Sequence, residues 1–364
     1  MRDIRLDFFK CAPGRWLRSR PQAFIFLILL LSISIQAQTP PLPESGGLDL
    51  KHLSALVEQV RANPANAAKV AEARAVGFEL LRAARYAEAV EVFDAIVDGI
   101  PGDGISLYGG AVALFNLRRI EEAERVARDA VRVSIAATAT PTGSLVNGDK
   151  AKDQAAEALT LLGVILAVKG DNAGALSAVT KATTLAPKNF DAQLALGRAL
   201  FGTGNPTGAA TVFRAAVALR PQDMTARFFL ATALETAGDY EHALAEYREL
   251  LTINSKSAEG HLGLGVLLVK LGGDKINEGI EELARAIALN GDLYEARITI
   301  GRALIQQGRL SEAVEHLRRA VELAPKNPEP HYQLALAYRR LGKTQEASEQ
   351  EAIIQKLHAE RRGG

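Results

Sequence analysis

A 34-residue period constrains this chain more than any other feature of its sequence. The stretch Tyr294–Asn327, YEARITIGRALIQQGRLSEAVEHLRRAVELAPKN, can be overlaid by seven other segments with the same residue types at the same places. Within it, Ile300, Gly301 and Leu304 follow the three-and-four spacing of one helix face, and Ala313, Leu317, Ala320 and Leu323 follow it again after Gly308. The unit therefore reads as two amphipathic helices. Gly308 ends the first in a left-handed residue, and Pro325 closes the second because proline cannot continue a helix. Gly301 and Ala313 are small where a bulky side chain would hold the paired helices apart. One such hairpin cannot bury both its apolar faces, so it must stack on a neighbour.

The other units start at Val70, Gly104, Ala156, Phe190, Met224, Ala258 and Pro328, and the one beginning at Ala258 carries two extra residues near Gly272 and Gly273. Leu162–Gly163, Leu196–Gly197, Gly170, Gly204, Gly238, Ala175, Ala209, Ala243, Pro187 and Pro221 recur in register. With 48% hydrophobic but only 5% aromatic residues, the composition suits small interdigitating helices better than one bulky core. A solenoid also removes the need to divide 364 residues among separately cored domains.

This pattern resembles the tetratricopeptide repeat family, whose consensus places Trp, Leu-Gly, Tyr, Gly, Ala, Phe, Ala and Pro at these offsets. The resemblance covers about three quarters of the chain, and it implies an all-α, right-handed α-solenoid of about eight helix-turn-helix repeats that binds other proteins. One departure is systematic. The consensus Trp is missing everywhere, its slot being filled by Ala73, Leu107, Leu159, Gln193, Arg227, His261, Arg297 and His331, so those sites are in doubt as core positions.

Outside the repeats, Arg2, Arg5, Lys10, Arg15, Arg18 and Arg20 precede the uncharged run Ala23–Ile35, which is followed by Gln36 and Ala37. That is the anatomy of a secretory leader, with cleavage expected after Ala37; the apolar run falls short of the roughly 18 to 20 residues that span a bilayer. An uncleaved N-terminal anchor is the alternative. The expected organisation is a leader or anchor over 1–37, a linker over 38–47, an N-terminal capping helix over 48–69, repeats over 70–137, an inter-repeat loop and helix start over 138–155, and repeats over 156–361 ending in a polar cap. Cleavage removes the single cysteine, Cys11, and the single tryptophan, Trp16, and leaves a mildly acidic chain with no electrostatic reason to seek nucleic acid. The expected location is the periplasm or the exterior.

Chemistry-bearing motifs are weak. Gly143–Lys150 approaches a phosphate-cradling loop, but Asp149 displaces the lysine and Ala151 stands where a Ser or Thr would hold magnesium. His52, His242, His261, His316, His331 and His358 offer no three at metal-ligand spacing, although His242 and Glu246 stand one helical turn apart. No cofactor, metal or small-molecule substrate is expected, and no catalytic residue; an enzyme or nucleotide binder using the 138–150 loop is the low alternative. Glu312, Glu315, Arg318 and Arg319 read as exposed intrahelical pairs on a solvated face.

The residues that do not repeat are more informative. The second stripe of each first helix carries Phe78, Tyr108, Phe115, Leu194, Arg198 and Phe201, and further along Phe228, Leu262, Ile298, Arg302, Tyr332 and Arg339. It reads either as padding between repeats or as an apolar groove with aromatic and Arg anchors for an extended segment or helix of a protein partner. A subclass of the family grips a terminal carboxylate with Lys and Asn at the fifth and ninth positions of its repeats. Here the ninth position holds Phe78, Val112, Val164, Arg198, Thr232, Val266, Arg302 and Leu336, with no Asn. The expectation is a non-catalytic adaptor in envelope assembly, with a membrane-tethered spacer as the alternative.

Overall fold

The structure, a computed structural model, describes residues 50–139 and 145–363. Over that range the chain is all α, with seventeen helices and no strand. The expected leader, linker, Cys11 and Trp16 lie outside the described residues, as do positions 140–144. No described helix is long and apolar enough to cross a membrane.

The described residues fall into two compact units that meet in sequence at Arg220 and Pro221. The first opens with α1 (Leu50–Ala62) and continues as the pairs α2 (Ala67–Arg82) and α3 (Tyr86–Gly99), α4 (Gly104–Asn116) and α5 (Ile120–Ala139), α6 (Leu145–Val168) and α7 (Asn172–Leu185), α8 (Phe190–Gly202) and α9 (Pro206–Leu219). In the second, α10 (Met224–Ala237) pairs with α11 (Tyr240–Ile253), α12 (Ala258–Leu271) with α13 (Lys275–Leu289), α14 (Tyr294–Gln306) with α15 (Leu310–Leu323) and α16 (Pro328–Arg340) with α17 (Thr344–Gly363). Inside each unit every pair also packs on the next, which is how a short hairpin buries its second apolar face. Helix α1 rests on α2 and α3 with Leu53, Leu56 and Val60 buried.

Local chemistry sets the ends of these helices. Asp171, Asn205 and Asp223 accept a bond from the backbone N–H three residues on, at 2.9, 2.9 and 2.8 Å, each cap contributing about 1 kcal/mol. First helices end in left-handed residues: Gly238 has φ +87° and Gly308 φ +77°, and the chain reverses as Asp239 N–H returns to Leu234 O at 2.9 Å. Two earlier turns lack the glycine, and there Ala84 (φ 57°) and Arg118 (φ 63°) take the same conformation.

Small residues let the helices of a pair close up. A Cβ on Gly197 would stand 2.5 Å from the Phe213 ring, and one on Gly301 2.6 Å from Leu317. Between α12 and α13 the obstacle includes backbone: a Cβ on Gly265 would lie 2.9 Å from Gly279 O and one on Gly279 3.0 Å from Gly265 O. Backbone faces backbone at that crossing.

One expectation needs correction. The 138–150 segment is not a loop throughout: Thr138 and Ala139 finish α5, and residues 145–150 already belong to the 24-residue helix α6. Packing of α6 against both α5 and α7 overrides the turn-forming residues of that stretch, whose intrinsic preferences are worth less than one kcal/mol each except for glycine at about one. Gly148, Asp149 and Lys150 therefore lie inside a helix, whereas a phosphate loop must precede one.

Candidate functional site

The second stripe of the first helices divides by burial. Phe78, Phe115, Leu194, Arg198 and Ile298 are in the interior, because the neighbouring helices close over them; the Phe78 ring meets the edge of Phe93 at 5.3 Å. These five do not line an open groove, and burial lowers the Arg198 guanidinium to about 9. Tyr108 and Phe201 in the first unit are half-buried, and burial, ahead of the negative charge on Glu157 and Asp191, pushes the Tyr108 hydroxyl upward.

In the second unit more of the stripe reaches solvent. Phe228 and Leu262 are half-buried, with Phe228 edge-on to Tyr247 at 6.1 Å. Arg302 and Arg339 are exposed, Arg339 pairing with Glu351. Tyr332 and, one turn on, Leu336 on α16 are 45% and 38% exposed, which is unusual for large apolar side chains four residues apart on one helix. The Tyr332 hydroxyl stands 3.4 Å from His358 Nε2. An apolar strip is thus open on α16, with the exposed Arg339 one turn beyond Leu336.

The empty Trp slot has an explanation that the spacing of apolar residues does not provide. At the fourth position of each repeat, the slot faces the second helix of its own pair, and the residue it meets stands nineteen positions later, or twenty-one where the repeat carries its two extra residues. In the first three repeats both sides are apolar: Ala73 with Val92, Leu107 with Val126 and Leu159 with Ala178. In the second unit both are polar. Arg227 Nη1 meets Glu246 Oε2 at 2.5 Å, His261 Nδ1 meets Glu282 Oε2 at 2.5 Å and His331 Nδ1 meets Gln350 Oε1 at 2.7 Å. The slot residue also ties down the turn before its helix: Gln193, Arg227 and His261 reach the carbonyls of Pro187, Pro221 and Ser255 at 2.8, 2.9 and 3.0 Å. Arg227, His261 and His331 are all buried, so the slot is core after all, with hydrogen bonds where the consensus has an indole. The covariation of slot and partner, basic against acidic, was the available signal.

Among the described residues no three His, Cys, Asp or Glu side chains gather to hold a metal ion. His242 turns to Asp239 at 2.8 Å and Glu246 to Arg227, so that pair is not assembled as a site. On α15 the partners also differ from simple intrahelical pairing: Glu312 takes Arg309, Arg319 takes Glu322 and Asp292, and Arg318 Nε donates to the Tyr338 hydroxyl at 3.0 Å.

Stacked antiparallel helix pairs of this length, with glycine-type turns and small residues at the crossings, define an α-helical repeat protein. A model described as tetratricopeptide repeat matches residues 77–142 and 194–258, and a second, described as TPR repeat, matches 301–342. No curated protein matches the chain. Among solved structures the chain is similar to MamA at 25% identity, covering 45% of this chain and 95% of that one with a TM-score of 0.42. It is also similar to YrrB, described as a TPR protein with an unusual peptide-binding site (21% identity, 50% and 93% covered, TM-score 0.42), and to PilF of Pseudomonas aeruginosa (17%, 57% and 94%, TM-score 0.49).

Proposed function

We propose that this chain is a non-catalytic scaffold that binds protein or peptide partners on the first-helix faces of its repeats, and that it does so as an exported protein in assembly of the cell envelope. The observation that carries the reading is the open apolar strip of Tyr332 and Leu336 with Arg302 and Arg339 exposed on the same stripe. Aromatic and Arg side chains are the residue types that dominate binding energy at protein interfaces. The repeats supply rigidity, so a partner segment meets a preformed surface and the ordering cost falls mainly on the partner.

Export rests on the basic start and the apolar run Ala23–Ile35. An anchored form, held by an uncleaved leader, is separated from the cleaved one by fluorescence. Trp16 is the sole tryptophan, so protein isolated from its native compartment emits as tryptophan only if the leader remains.

The binding reading is tested with peptides selected by display on the full chain. Replacing both Tyr332 and Leu336 by Ala is expected to weaken the selected peptides by about tenfold or more while helicity is unchanged. Peptides that bind the double variant as well as the parent would remove α16 from the site.

A further inference from the structure

Three of the four polar slots in the second unit are matched by an oxygen acceptor within the chain: Arg227 has Glu246, His261 has Glu282 and His331 has Gln350, while Arg227 Nε and His331 Nε2 stay without a partner. The fourth is not. There Arg297 on α14 is matched at the nineteenth position by His316 on α15, so a base faces a base where the neighbouring repeats place a carboxylate or an amide oxygen. Arg297 Nε and His316 Nδ1 are both buried atoms without a hydrogen-bond partner, although both residues keep part of their surface in solvent. Leaving a buried charged donor unmatched costs more than leaving a neutral one, and here the partner position of the slot offers no oxygen acceptor at all.

The surrounding charges do not fill the gap. Arg319 adds positive charge beside Arg297, and its own guanidinium is held by Asp292 and Glu322. Of the acids near His316, Glu312 is taken by Arg309 in a two-pronged pair at 2.8 and 2.7 Å, and Glu315 points to solvent.

We propose that the Arg297–His316 junction is a binding site for a carboxylate, supplied by an acidic side chain of a protein partner, which completes the slot as Glu246 and Glu282 complete theirs. The site is open because both residues are only half-buried, and it is selective for a carboxylate because that group occupies the same place in the two preceding repeats. It lies on different positions from the family's terminal-carboxylate clamp, which would use Ile298 and Arg302 here. It does not depend on the Tyr332–Leu336 strip.

The test is a titration of the full chain with its histidine rings isotope-labelled, the His316 resonance being assigned by its loss in His316→Gln. The probes are sodium acetate, a capped Gly-Glu-Gly peptide, the matching Gly-Gln-Gly peptide, and sodium chloride at equal ionic strength. The expected result is a saturable shift of the His316 ring signal with acetate and with the Glu peptide, absent with the Gln peptide and chloride, and abolished in Arg297→Gln. His316→Glu provides the carboxylate from within, and is expected to raise the melting temperature and abolish binding. A shift no larger than that from chloride, or one retained in Arg297→Gln, overturns the site. Binding of acetate without the Glu peptide overturns the protein partner. A lower melting temperature in His316→Glu would mean that the junction does not accept a carboxylate and would overturn it as well.

Discussion

His261 Nδ1 lies 2.5 Å from Glu282 Oε2, and both side chains are withdrawn from solvent between α12 and α13. The opposite ring nitrogen faces the Ser255 carbonyl at 3.0 Å, so both edges of the imidazole meet oxygen acceptors. Removing one partner strands the other. Glu282→Ala is expected to destabilise the second unit by about 1–3 kcal/mol, and His261→Ala by a similar amount. The double change His261→Leu with Glu282→Val copies the apolar arrangement of Leu107 and Val126, and should recover most of that loss, because a buried polar pair replaced by well-packed apolar groups is often near neutral. Urea unfolding of the four proteins checks this; losses that simply add in the double variant would show that the two residues are not coupled.

Gly265 and Gly279 put backbone against backbone, so neither tolerates a methyl group without moving a helix. Gly265→Ala is expected to lower stability by about 1–3 kcal/mol. Gly291→Ala, where nothing lies within 4 Å of the new Cβ, should change stability little. Thermal melts of the two variants side by side test the claim, and equal melting temperatures would refute it.

Ala84 and Arg118 occupy the left-handed conformation that glycine supplies at five of the later turns, including Gly170, Gly204 and Gly238. An L-residue pays about 1–2 kcal/mol for that conformation, part of which glycine returns through the greater freedom of the unfolded chain. Ala84→Gly and Arg118→Gly should each stabilise the first unit by up to about 1 kcal/mol. A lower unfolding midpoint in both would mean that side-chain contacts, and not backbone strain, govern these turns.

The period, the turns and the small residues at the crossings were legible because they repeat: Gly308 with its positive φ and Gly301 against Leu317 are the same device in every unit that carries it. What depends on a neighbouring repeat was not legible. Phe78 and Leu336 both occupy the ninth position of their repeats, yet one is 4% exposed and the other 38%. The difference comes from what packs over each of them, which no spacing within one repeat encodes. The division at Arg220 and Pro221 was hidden for a related reason, since that turn reads like every other between repeats. Arg227, His261 and His331 looked like failed core positions because a polar residue in a core slot is interpretable only with its partner, and the partner is nineteen or more residues away.

Glu157 offers a readout of stability against pH. It stands on α6 in register with Asp149 and Asp153, eight and four residues earlier on the same face, with Asp191 of α8 near its carboxyl. Although the side chain as a whole is exposed, partial desolvation of the carboxyl by the protein around it, then the negative charges of Asp153 and Asp191, push its pKa from an ordinary 4.5 up to about 7. A carboxyl whose folded value is raised has no effect on stability below its unfolded value, where both states are protonated. Between pH 4.5 and about 7 the unfolded state ionises while the folded one resists, so stability falls as pH rises, and the full penalty remains above that window. Glu157→Gln removes the penalty. It should melt with the parent at pH 4 and above it at about pH 8, by a margin kept small because the residue retains solvent exposure. A variant that melts at or below the parent at both pH values would place the Glu157 carboxyl in ordinary solvent.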